Sequence, residues 1–282
     1  MKLVRKLIKI ATVIAIPFAL AWGYLGFVAK DPVFGPEQDV GLGEQTVAAL
    51  SADTENYPIL PPEEYPEAYE HLNRITQRLV SGPGIQYRDL FRYDKVRIIH
   101  DDETLNAFCT AGGFIYVYSG LIRYLEAEDD LAGIMGHEIA HAELRHSSMR
   151  LQREYGRQRL FEFILLTQPM AVKDAAMLAI LKDLTGLSWS RSQEADADKM
   201  SVSYLKDAGY ACDATAAFFE KLLANQDDVG IPEVLSDHPD SERRVRDIKA
   251  QALSLGCSTR LAGDTDWASF QASLPPAGNA GE

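Results

Sequence analysis

The apolar positions of this chain recur at helical spacing over most of its length. From Glu67 to Val80, Leu72, Ile75 and Leu79 stand three or four residues apart, which predicts a helix. Ser81-Gly82-Pro83-Gly84 then predicts a turn. Val96-Arg97-Ile98-Ile99 and the run Gly113 to Tyr118 are rich in β-branched and aromatic residues and predict two strands. Residues 128–147 predict a helix whose opening acids, Glu128, Asp129 and Asp130, suit the positive end of a helix dipole. Residues 149–187 read as helical with a break near Gln168-Pro169. The longest uncharged run there, Phe163 to Val172, is too short to span a bilayer, so a buried hairpin or a lid is expected. Residues 190–206, 214–224 and 239–255 predict three more helices, the first ended by Gly209. The sum is mostly helix with a small sheet, an α+β pattern.

Two stretches read as less regular. Residues 31–66 carry Pro32, Pro36, Pro58, Pro61, Pro62 and Pro66, which predicts a lead-in with room for one short helix from Gly41 to Leu50. The tail, residues 261–282, holds Gly, Pro and Ala and is expected to be loose. Between them, residues 67–260 form the expected single domain.

Charge changes the picture at the N-terminus. Lys2, Arg5, Lys6 and Lys9 occur there without an acid, and Ile10 to Ala29 then carries no charge. Residues 1–30 are thus either a cleaved signal, with Ala19-Leu20-Ala21 as the cleavage site, or a single membrane anchor. Both place the remainder outside the cytoplasm, in the periplasm, because basic residues stay on the cytoplasmic side. The whole chain has a net charge of −13, and cleavage after Ala21 would leave 24 bases against 41 acids. That balance lacks the basic footprint nucleic-acid binding needs. The 46% apolar and 24% charged residues describe an ordinary globular chain. Among the three cysteines, Cys212 and Cys257 flank the last helices and can form a disulfide in an oxidising compartment or remain buried thiols. Cys109 would then be free and buried near the site described next.

The chemistry concentrates at His137-Glu138-Ile139-Ala140-His141, an H-E-x-x-H motif inside a predicted helix. Spacing of four puts both imidazoles on one face, where they can share a metal. Glu138 can then serve as general base toward an activated water. The alternative, a solvated face, conflicts with the apolar run Leu131 to Gly136 before the motif. A third ligand is required. His146 is one residue off the expected spacing and falls on the wrong helical face. Glu194 and Asp198, four residues apart on a later helix, supply one carboxylate to ligate and another to orient a ligand. Asp196 lies on the opposite side of that helix.

Several ordered motifs resemble one family. Asn106-Ala107-Phe108 followed by Gly112-Gly113-Phe114-Ile115-Tyr116-Val117, the helix Leu131 to His141, Arg191 through Glu194 with Ala197-Asp198, and His238-Pro239 with Arg244-Val245 are similar to the zinc metallopeptidases that include CAAX prenyl protease 1, the heat-shock protease HtpX and the BepA-type periplasmic proteases. Ala111 stands where relatives often have Pro, and no helical repeat array follows the peptidase part. The resemblance implies a zincin, gluzincin-like metalloprotease domain that binds one zinc ion per chain. It implies His137, His141 and Glu194 as ligands, Glu138 as base, and Asp198 and Arg244 behind the ligands. His238 would lie near the metal, either stabilising the oxyanion, with Arg244 and Tyr204 behind it, or closing the site as a latch. Asn106, Gly113, Phe114, Ile115 and Tyr116 would bind an extended peptide or unfolded protein along the edge of the strand Phe114 to Tyr118. The expected activity is a zinc endopeptidase of the cell envelope. The alternative is a latent, chaperone-like zinc module that captures peptide with little proteolysis.

Overall fold

The computed structural model describes residues 35–153, 189–224, 238, 241–259 and 266–278. The expected signal or anchor lies outside these residues, as does all of the 149–187 segment beyond Arg153. Among the described residues no helix is long and apolar enough to cross a membrane.

Helices α1 (Pro36–Ala52) and α2 (Pro66–Val80) come first. Strands β1 (Arg97–Ile99), β2 (Ala107–Cys109) and β3 (Ile115–Tyr118) follow. Then come α3 (Ser119–Tyr124), α4 (Glu128–Glu143), α5 (Arg191–Ala208), α6 (Ala214–Ala224), α7 (Ser241–Ser254) and α8 (Trp267–Ala272). The architecture is the expected one, mainly helical with one small sheet.

The sheet order is β1-β3-β2. β1 runs parallel to β3, with Ile98 opposite Val117, and β2 runs antiparallel, with Phe108 opposite Tyr116. β3 is therefore central and both of its edges are paired. This corrects the expectation that the strand Phe114 to Tyr118 offers an edge to substrate. Among the described residues the unpaired edge beside α4 belongs to β2.

α4 is buried along nearly its whole length, which accounts for its apolar run on all sides. It packs on α2, α5, α6 and β2. Gly133 allows the closest approach: a Cβ there would sit 2.7 Å from the Thr215 backbone nitrogen. Thr215 Oγ1 donates to the Gly133 carbonyl at 2.9 Å, so α6 begins directly on α4. α5 starts with Ser190 Oγ accepting from the Gln193 N–H at 3.3 Å. It stops at Gly209, whose φ of 75° is the left-handed cap that favours glycine. Cys212 and Cys257 are bonded, tying the start of α6 to the chain beyond α7, and Cys109 is free and buried.

Three expectations need correction. The lead-in is more regular than its prolines suggest. Pro36 and Pro66 each begin a helix, a place where the missing N–H costs nothing. α1 buries Val40, Leu42, Ala49 and Leu50, and its Leu50 joins Ile99, Phe108, Phe114, Tyr116 and Tyr118 in a second apolar cluster. The tail is not loose throughout. Trp267 donates from Nε1 to the Leu125 carbonyl at 2.9 Å, and Gln271 Nε2 donates to the carbonyl of Ile122 at 2.9 Å. The two anchor α8 over the end of α3. Finally, the helix expected over 128–147 ends at Glu143, and the chain turns at Arg145 before residues 146–153 resume as helix.

Candidate metal centre

His137 and His141 project from one face of α4, and their Nε2 atoms lie 3.0 Å apart. α5, capped and packed across α4, brings Glu194 to them. Its Oε2 is 3.4 Å from His137 Nε2 and its Oε1 is 3.5 Å from His141 Nε2. His238 adds a fourth donor, with Nδ1 3.0 Å from Glu194 Oε1 and 3.3 Å from His137 Nε2. These four residues are buried, and one ligand atom from each falls within 4.8 Å of every other.

The donor set fits a metal ion. With metal–ligand bonds of about 2.0–2.1 Å, tetrahedral ligand atoms stand about 3.3 Å from each other. The spacings above lie close to that value. Buried charge also needs a partner. Glu194 and Asp198 are both held below the usual carboxylate range. Burial alone would raise them. His238, His137 and His141 override it at Glu194, while Arg244 and His137 hold Asp198 at about 2. Against these two negative charges Arg244 supplies one positive charge. His137 is pushed up to about 9, because Asp198 and Glu194 outweigh burial and the nearby Arg244. The two carboxylates thus favour a second positive charge beside Arg244, a proton on His137 or a metal ion in its place.

The neighbouring groups orient the donors. Asp198 Oδ1 is 2.9 Å from His137 Nδ1, which turns His137 Nε2 toward the cluster. Arg244 donates from Nε to Asp198 Oδ2 at 2.8 Å and from Nη2 to Oδ1 at 2.7 Å. Its Nη1 is 2.6 Å from Glu194 Oε2. Arg244 therefore clamps both carboxylates of α5 from α7. Its guanidinium also lies over the Phe219 ring, 4.4 Å from the centroid.

Glu138 lies beside this set. Its Oε2 accepts from the Cys109 backbone N–H on β2 at 3.2 Å, and its Oε1 is 3.4 Å from His238 Nε2. Burial raises its carboxyl above the ordinary range.

His137, Glu138, His141, Glu194, Asp198, His238 and Arg244 are thus brought together, while Asp196 is exposed on the far side of α5. Tyr204 is not part of the cluster: its hydroxyl reaches toward Met200 Sδ at 4.0 Å, and its ring packs beside Gly84. Among the expected peptide-binding residues, Asn106 precedes β2 and its Oδ1 accepts from the Ala107 N–H at 2.8 Å. Gly113 shapes the β2–β3 turn with a φ of 84°. Phe114, Ile115 and Tyr116 are buried in the two cores and present no free edge.

His146, off the expected spacing, nevertheless places its Nδ1 2.9 Å from His141 Nδ1. Trp189 stacks on the His141 ring with centroids 4.6 Å apart. Neither has a spacing signal, since one depends on a turn and the other on a distant segment.

Comparison with known proteins fits this geometry. The model for "Peptidase family M48" matches residues 66–252. The beta-barrel assembly-enhancing protease of Escherichia coli (strain K12) is 30% identical over 228 residues, covering 76% of this chain and 44% of that protein. The putative beta-barrel assembly-enhancing protease of Vibrio cholerae serotype O1 is 28% identical over 209 residues, 67% of this chain and 43% of that protein. The mitochondrial metalloendopeptidase OMA1 of Arabidopsis thaliana is 24% identical over 242 residues, 82% of this chain and 46% of that protein. The chain spans less than half the length of these relatives. On the match over residues 66–252, this chain belongs to peptidase family M48.

Proposed function

We propose that this chain is a zinc-dependent endopeptidase of the cell envelope that cleaves unfolded or misassembled proteins, with its peptidase unit in residues 67–260. The observation that carries the reading is the buried cluster of His137, His141, Glu194 and His238 in an M48 chain. The names of the relatives, a beta-barrel assembly-enhancing protease and a mitochondrial metalloendopeptidase, support the peptidase reading, and the first supports a link to beta-barrel assembly.

His137, His141 and Glu194 would hold one zinc ion, which supplies polarisation of the scissile carbonyl and a water acidified toward neutrality. Glu138 takes the proton of the attacking water and returns it to the leaving amine. The Cys109 N–H occupies Glu138 Oε2, which leaves Oε1 as the proton-carrying atom. The raised affinity of this buried carboxyl for a proton suits that task. An extended peptide would lie along the outer edge of β2, next to Glu138, and would have to displace the Asn106 side chain from the Ala107 N–H.

His238 has two candidate roles, and its position favours the latch. With Nδ1 within the donor set and Nε2 beside Glu138, it fills the place that a substrate carbonyl would need. A site closed this way also suits the second reading, a chaperone-like module with little proteolysis.

Elemental analysis of the purified chain should find about one zinc per chain. Glu194→Ala should lose that zinc and Asp196→Ala should keep it. Zinc retained by Glu194→Ala would move the third ligand elsewhere.

A further inference from the structure

The contacts behind His141 lead away from the donor cluster to the N-terminal helix. His141 turns Nε2 toward Glu194, and its Nδ1 faces His146 Nδ1 at 2.9 Å. If Nε2 gives its lone pair to a metal, the ring proton of neutral His141 sits on Nδ1. His141 then donates and His146 accepts, so His146 fixes both the tautomer and the ring direction of the ligand.

His146 reaches this place because the backbone turns just before it. On an unbroken helix a residue five positions on stands about 140° around the axis. Arg145 has a φ of 57° and is the one non-glycine residue with positive φ among the described residues. L-residues adopt this conformation only where the surroundings enforce it. The enforcing group is Asp39 of α1, which is 2% exposed. Arg145 donates from Nε to Asp39 Oδ2 at 2.5 Å and from Nη2 to Oδ1 at 3.0 Å. Ser148 Oγ donates to the same carboxylate. Asp39 therefore grips the chain on both sides of His146.

We propose that His146 is a positioning residue for the metal ligand His141, and that Asp39 sets the turn that delivers it. The inference rests on the reading that His137, His141 and Glu194 bind a metal. It extends the metal centre to α1, which lies outside the matched residues 66–252. The lead-in helix thereby becomes part of the functional unit.

The test is zinc affinity of the full chain, measured by competition with a chromophoric chelator, beside thermal unfolding of the metal-free form. His146→Leu should weaken zinc binding about 10–100-fold, the usual cost of losing a group that orients a ligand. His146→Asn places an acceptor oxygen near the position of Nδ1 and should stay within about threefold of the parent. Asp39→Asn leaves both imidazoles in the chain and should lose about tenfold. A merely structural role would lower the metal-free midpoint of the Leu and Asn variants alike and leave affinity unchanged. Parental affinity in both His146→Leu and Asp39→Asn overturns the proposal. If His141→Ala also binds zinc like the parent, the ligand assignment itself has failed, and the positioning role falls with it.

Discussion

Glu138→Gln should lose cleavage of an unfolded protein such as casein by about 10²–10⁴-fold and should keep its zinc. The magnitude is that of removing a general base. Gln has the same shape, and its carbonyl oxygen can still accept from the Cys109 N–H that now holds Glu138 Oε2 at 3.2 Å. It cannot carry a proton between water and the leaving amine. Metal binding should survive because Glu138 is not one of the grouped donors. Parental cleavage by the variant would remove Glu138 from the mechanism. The same variant separates the two proposed functions. A module that only captures peptide has no use for the base, so Glu138→Gln would still complement a strain lacking the protein.

Arg244→Leu should destabilise the fold by about 3–5 kcal/mol, the range for removing one partner from a buried ion pair. Asp198 and Glu194 both rest on this guanidinium at 2.6–2.8 Å, and Arg244 is 4% exposed. Leucine fills the space over Phe219 but takes the guanidinium away from both buried carboxylates. For a chain of this size, the unfolding midpoint should fall by roughly 6–20 °C. Replacing Asp198 by Asn in the same variant removes one of the orphaned charges and should restore part of the loss. A midpoint unchanged in Arg244→Leu would mean that the clamp contributes nothing net.

Much of the site is legible in the sequence because it obeys helical periodicity. His137 and His141, and then Glu194 and Asp198, are pairs four residues apart, and each pair needs only one helix to form. Two such helices crossing face to face bring the pairs together, and α4 and α5 do so. The parts that escape the sequence depend on contacts between distant segments. Nothing around Asp39 marks it as a partner of Arg145, which stands 106 residues away. Without that pair, His146 reads as a residue on the wrong face. The edge strand escapes for a related reason. Ala107-Phe108-Cys109 is too short to carry a period, and only the pairing with β3 shows that β2 holds the edge. The same limit applies to α8, where Trp267 and Gln271 find their acceptors at Leu125 and Ile122 on α3 and just beyond it. Proline misleads in the other direction, since Pro36 reads as a breaker and serves as a first helical residue.

On the proposed function, peptide-bond cleavage depends on one metal ion held by His137, His141 and Glu194. Stripping the purified chain with a chelator and titrating zinc back, while following casein cleavage, reads that dependence. The stripped chain should not cleave casein, and activity should rise with added zinc and level off at about one zinc per chain. Undiminished cleavage by the stripped chain, or by Glu194→Ala without bound metal, would contradict that dependence.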